Sequence, residues 1–139
     1  MSNRNFKMRL TTTYKGEENN VESTAIEVFK DDTWESFELS SSSPGFLIFV
    51  YSLLGCQHLY FRTNCAEKGL LLQSSMGVLD LGTAQSWEID KIHVDFSAHL
   101  HSGTPEKKEI DYILSRMKQC PVSKNVSEPE DLKTSIQFM

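Results

Sequence analysis

The sequence has few of the features that mark common protein classes. It contains three cysteines, an odd number at irregular spacing, which does not suit a secreted disulfide framework. Its Lys and Arg residues total 14 against 19 Asp and Glu, giving a net charge of −5, and they form no basic run. A phosphate-backbone partner needs clustered cations, so nucleic acid is excluded as a partner. The opening stretch "MSNRNFKMRL" has no apolar core, and no secretory signal is expected. The longest apolar run ends after Phe61, short of the ~20 residues a bilayer span requires. There is no GxxxxGK[ST], GxGxxG, GxSxG, CxxC or HExxH pattern, so nucleotide, esterase and zinc-hydrolase chemistry have no support. No cofactor is expected. With three thiols and no signal, the expected compartment is the cytoplasm, where thiols are kept reduced.

What is present is one ordinary globular domain over residues 1–139, with apolar residues at 39% and charged residues at 24%, typical of a folded chain. "FKMRLTTTY" (6–14), "VESTAIEVF" (21–29) and "WESFELS" (34–40) alternate and are separated by short turns. They predict an antiparallel meander. "SSSSPG" (40–45) offers serine caps and a proline at a helix start. The segment "FLIFVYSLLGCQHLYF" (46–61) is apolar on every side. A helix of that kind has to be buried all round, and one three-stranded meander is too small to cover it. A homodimer interface at this helix is therefore expected. The helix runs on through "RTNCAEK", with Gly69 at its C′ position.

"LLLQSSMGVLDL" (70–81) reads as a strand bulged near Gly77, and "SWEIDKIHVDFSAHLHSG" (86–103) as a long strand with a slip near Lys91. Ile89, Ile92, Val94, Phe96, Ala98 and Leu100 would form its buried face. "TPEKKEIDYILSRMKQ" (104–119) predicts a second helix, with Thr104 at the N-cap, Pro105 at N1, and a stripe of Ile110, Ile113, Leu114 and Met117. "CPVSKNV" and an acidic loop lead to a last strand at 132–138. The order is α+β.

Cys120 precedes Pro121, which suits the first position of a short helix, so Cys120 would be its N-cap. There a thiolate is stabilised by the helix N-terminus. The alternative is a small buried residue that ends one helix and starts another. Cys56 lies within the apolar helix after Gly55, a residue that favours close approach. It is either a reactive thiol or a packed core cysteine. Cys65 is nine positions further, on the opposite helix face, and is expected to be incidental. His58 points away from Cys56 on the same helix. His93, Asp95, His99 and His101 share strand parity. His99 and His101 stand ~7 Å apart, but His93 is ~20 Å from His99, so no four-ligand metal site is expected; a surface metal clipped by His99 and His101 is the lesser alternative.

Two stretches together, "SSPGFLIFVYSLLGCQHLYFRTNCAEKGLLL" and "CPVSKNV" some sixty residues on, resemble the OsmC/Ohr family of osmotically inducible and organic hydroperoxide resistance proteins. The resemblance spans roughly residues 20–138. It implies an OsmC-like fold with antiparallel sheets wrapped around two central helices in an intertwined homodimer. It also implies a thiol peroxidase for organic hydroperoxides, with Cys56 peroxidatic, Cys120 resolving, and an external dithiol as reductant. The chain departs from the family pattern at two places. Pro44-Gly45-Phe46 lacks the family's glutamate, and no arginine occurs between Arg9 and Arg62. Arg9, Arg62, Lys15 and Lys30 are the candidate cations. A second expectation is a non-catalytic dimer holding a small hydrophobic molecule against Phe46, Phe49, Tyr51, Tyr60 and Phe61.

Overall fold

The computed structural model describes residues 3–125. Eight elements follow one another: β1 (Arg4–Lys15), β2 (Asn20–Lys30), β3 (Thr33–Ser36), α1 (Gly45–Glu67), β4 (Leu71–Thr83), β5 (Ile89–Ser102), α2 (Lys107–Met117) and α3 (Pro121–Lys124). The expected strand at 132–138 lies outside the described residues.

The strands form one antiparallel sheet in the order β3-β2-β1-β4-β5. The meander expected at the N-terminus is its first half. Alternation in β1 turns Met8, Leu10, Thr12 and Tyr14 inward, all of them buried, while Arg9, Thr11 and Thr13 line the other face. The β2–β3 turn has two central residues, Asp31 and Asp32, with φ of 51° and 64°. That is the doubly left-handed geometry which matches strand twist, and Asp tolerates it.

α1 lies across the inner face of the sheet. Val50, Leu53 and Leu54 pack with Met8, Leu10, Leu79 and Leu81 in one cluster. Cys65 packs with Tyr14, Leu70, Leu72, Ile113 and Met117 in a second. The helix is apolar all round, yet one sheet covers one side. Ile48 and Leu59 stay 38% and 44% exposed. The all-round burial expected from sequence is thus not met within one chain.

The end of α1 follows the expectation. Gly69, at φ 74°, is C′; its N–H bonds Ala66 O at 3.0 Å and the Leu70 N–H bonds Cys65 O at 2.9 Å, a Schellman closure. The start of α1 differs. Pro44 itself is the N-cap residue, without a side-chain cap, and Ser40, Ser42 and Ser43 bond one another. α2 also starts later than expected. Glu106 is the N-cap and Lys107 the first helical residue, because Gly103, at φ 103°, and the extended chain after it still belong to the turn. Half of the predicted α2 stripe is buried, Ile113 and Met117; Ile110 and Leu114 are exposed.

The slip near Lys91 is present: Gly82 pairs with Lys91 and Thr83 with Ile89, leaving one extra residue in β5. Gly77 is not a bulge. It pairs in regular register with Phe96 and Leu10, and it lacks a side chain because the Phe96 ring lies over it. A Cβ there would meet Phe96 Cζ at 2.8 Å. The expected buried face of β5 is partial. Ile89, Val94, Phe96 and Leu100 are half-buried, while Ile92 and Ala98 are exposed.

Asn19 ties the β1–β2 turn to the rest. It is wholly buried at φ 53°. Its amide donates to Arg62 O and Leu70 O, each at 3.0 Å, and its carbonyl oxygen accepts from Leu72 N–H at 2.8 Å. Among the described residues no helix is long and apolar enough to cross a membrane.

Candidate redox site

Cys56 and Cys120 are joined as a disulfide, with Cα atoms 6.0 Å apart, in the ordinary range for such bonds. α1 supplies Cys56, which is half-buried. The short junction between α2 and α3 supplies Cys120, which is wholly buried. Pro121 occupies the start of α3, and Cys120 is its N-cap, as the sequence predicts. The Ser123 N–H donates to Cys120 Sγ at 3.5 Å, a contact that favours negative charge on sulfur.

The junction is held by a residue that sequence reasoning missed. The side-chain amide of Gln57 donates to Ser123 Oγ at 2.6 Å and to Met117 O at 3.2 Å. α1 therefore grips both sides of Cys120 from the position next to Cys56. The pattern Cys-Gln, paired with Ser three residues after the second cysteine, was visible but had no periodic signature.

The third thiol stands apart. Cys65 is free and buried, and burial pushes its pKa up to about 12, so it remains a protonated thiol. His58 faces the sheet and not the disulfide. Its Nε2 lies 2.6 Å from Tyr14 Oη, which lies 2.5 Å from Ser75 Oγ, and its ring stacks on Phe96. Burial, with a smaller push from Arg62, lowers its pKa to about 4. It is neutral at physiological pH and supplies no cation to Cys56.

The four candidate cations are placed elsewhere. Arg9 projects from the outer face of the sheet, bonds Glu27 at 2.8 Å and stacks on Trp34. Arg62 donates to Asn19 O at 3.2 Å. Lys30 is exposed at the β2–β3 turn, and Lys15 lines a cleft with Tyr14, Gln73 and His101. A further cation, Lys118, lines a cleft of about 360 Å³ with Leu53, Gln57, Ile92, Val94 and Ser123; Gln57 directly follows Cys56 and Ser123 stands three residues after Cys120.

His93, His99 and His101 are exposed along β5, and the described residues contain no group of three or more metal-ligating side chains. The expected aromatic lining does not form one cavity. Phe46, Phe49 and Tyr51 pack on the first core cluster, and Tyr60 and Phe61 on the second. Phe61 alone of the five reaches an apolar cleft of about 360 Å³ between β4, β5 and α2, which Leu72, Phe96, Ile113 and Met117 also line.

No family model matches the chain, and no curated protein matches it in sequence. In three dimensions its mixed architecture, one antiparallel sheet with few helices, is of the OsmC-like type. The crystal structure of an OsmC-like hydroperoxide resistance protein from Jannaschia sp. CCS1 matches 96% of this chain and 94% of its own, with a TM-score of 0.61 and 12% identity. At that identity the likeness speaks for the fold.

Proposed function

We propose that the protein is a thiol peroxidase that reduces organic hydroperoxides through Cys56 and Cys120. The observation that carries this reading is the pairing of a half-buried cysteine on α1 with a wholly buried one at the α2–α3 junction. The accessible Cys56 attacks. Its thiolate takes the terminal peroxide oxygen, the O–O bond breaks, and with one proton the alcohol leaves; Cys56 becomes a sulfenic acid. The Cys120 thiol then displaces that hydroxyl as water and the disulfide forms. An external dithiol reduces it back to two thiols and is itself oxidised. That cycle fits a reducing cytoplasm, and the OsmC-like fold supports it.

The test is intact mass after cumene hydroperoxide is added to the reduced protein. A two-dalton loss (~2 Da, one disulfide), abolished in Cys56→Ser and reversed by a dithiol, is expected. No change at stoichiometric peroxide would sink the reading.

The assembly proposed is a homodimer formed over the outer side of α1, where Ile48 and Leu59 are exposed on an otherwise apolar helix. Sedimentation equilibrium checks it, and a concentration-independent monomer would refute it.

A second reading is a non-catalytic binder of small hydrophobic molecules. The apolar cleft beside Phe61 and Phe96 favours it. A peroxide-inert protein that retains an apolar fluorophore, lost on Phe96→Ala, would support this reading over the first.

A further inference from the structure

A thiol attacks as its anion, and a half-buried thiol ionises near neutrality only if a positive charge or a dipole opposes desolvation. The elements that carry the two cysteines have an uneven charge pattern. From Leu39 to Phe61 the chain has no Asp, Glu, Lys or Arg, and the next charge on α1, Arg62, donates to Asn19 O. Between Asp111 and Asn125 it has Arg116, Lys118 and Lys124 and no acid, in a protein whose net charge is −5. The acidic chain thus places a local positive segment around Cys120.

Within that segment, Lys118 lines the cleft that Gln57, the chain neighbour of Cys56, and Ser123 also line. It sits at the C-cap of α2, directly after Met117, whose carbonyl receives Gln57. Leu53 and Gln57, on the same cleft wall, lie three residues before and one after Cys56. The remaining walls bring no second charge: Ile92 and Val94 come from β5, and Ser123 from α3. The neighbouring β5 cation, Lys91, is paired with Asp80 at 3.3 Å. Among the described residues Lys118 has no acidic partner, whereas Arg9, Lys91, Lys107 and Lys108 each have one.

We propose that Lys118 is the cation that stabilises the Cys56 thiolate in the reduced protein. It stands two residues before Cys120 and shares a cleft with Gln57, the chain neighbour of Cys56. In this assignment the same short stretch of chain brings both the electrostatic partner and the resolving thiol. The proposal gives a molecular basis to the peroxidase reading, but its test does not depend on that reading.

The experiment follows alkylation of Cys56 by iodoacetamide against pH in the full-length Cys120→Ser protein, with peptide mass mapping of the modified cysteine. Cys65 is silent there because it is buried and protonated. Lys118→Gln should move the midpoint of the Cys56 profile up by about one unit and slow alkylation at pH 7 by about tenfold. Lys118→Arg should retain the parent profile. Lys118 is exposed at a helix end, so these variants fold; circular dichroism verifies it. A Lys118→Gln profile that superposes on the parent overturns the proposal, and so does a larger shift from Arg116→Gln or Lys124→Gln. If peroxide fails to form the disulfide while Lys118 controls alkylation, the peroxidase reading falls and the assignment of Lys118 stands.

Discussion

Gln57 and Ser123 are 66 residues apart in sequence and 2.6 Å apart in space. Each is adjacent to, or one turn from, a cysteine of the disulfide. Their bond keeps α3 against α1, so the contact that positions Cys120 is independent of the S–S bond itself.

Gln57→Leu should therefore weaken the junction in the reduced protein. Two hydrogen bonds are lost, to Ser123 Oγ and Met117 O, at about 1 kcal/mol each. The expected outcome is slower closure of the disulfide after peroxide, by several-fold, with sulfenic acid persisting long enough to be trapped by dimedone. Closure at the parent rate would show that Gln57 does not position Cys120.

Asn19→Ala should cost about 3–4 kcal/mol. It strands the Leu72 N–H and two carbonyls inside the protein, and it forces alanine into the left-handed region at φ 53°. Asn19→Gly relieves the backbone part alone and should recover about 1 kcal/mol. Urea unfolding of both variants checks the order; equal stability of Asn19→Gly and the parent would refute the role of the side chain.

Stability should fall on acidification through His58. Its folded pKa is about 4, below the ordinary ~6.5 of the unfolded chain. Below pH ~6.5 the unfolded state binds the proton first, so stability rises with pH across this window. The stabilisation is intact above ~6.5 and is lost as pH drops towards 4, on the order of 3 kcal/mol. Denaturant titrations from pH 7.5 to 4 should show this slope, and His58→Gln should flatten it. An unchanged slope in the variant would assign the acid sensitivity to other groups.

Much of the local grammar was legible in the chain. Cys120-Pro121 announced its own capping role, Gly69 its C′ position, and the broken alternation near Lys91 an extra residue in β5. These signals are short-range, set by one residue's backbone preference. Thr104-Pro105 misled for the same reason: the pair suits a helix start, but the turn through Gly103 uses those residues as extended chain. Gly77 was misjudged because its cause is a ring from the neighbouring strand. Gln57 was missed because its hydrogen bonds to Met117 O and Ser123 Oγ arise only when α1 meets the α2–α3 junction. Among the candidate cations, Arg9 lies on the outer face of the sheet by strand parity, since it alternates with the inward Met8 and Leu10.

The disulfide spans a sequence separation of 64 and so encloses β4, β5 and α2 within a single covalent loop. Cross-linking a loop of that length removes unfolded-state entropy equivalent to about 4 kcal/mol. Under the proposed peroxidase cycle, which opens and closes this bond at each turnover, the safety margin of the fold would rise and fall with the chemistry. The reduced protein would then be the softer form, and peroxide would stiffen it. A melting curve would double as an oxidation gauge, with heat or a protease selecting against the pool that is ready to react.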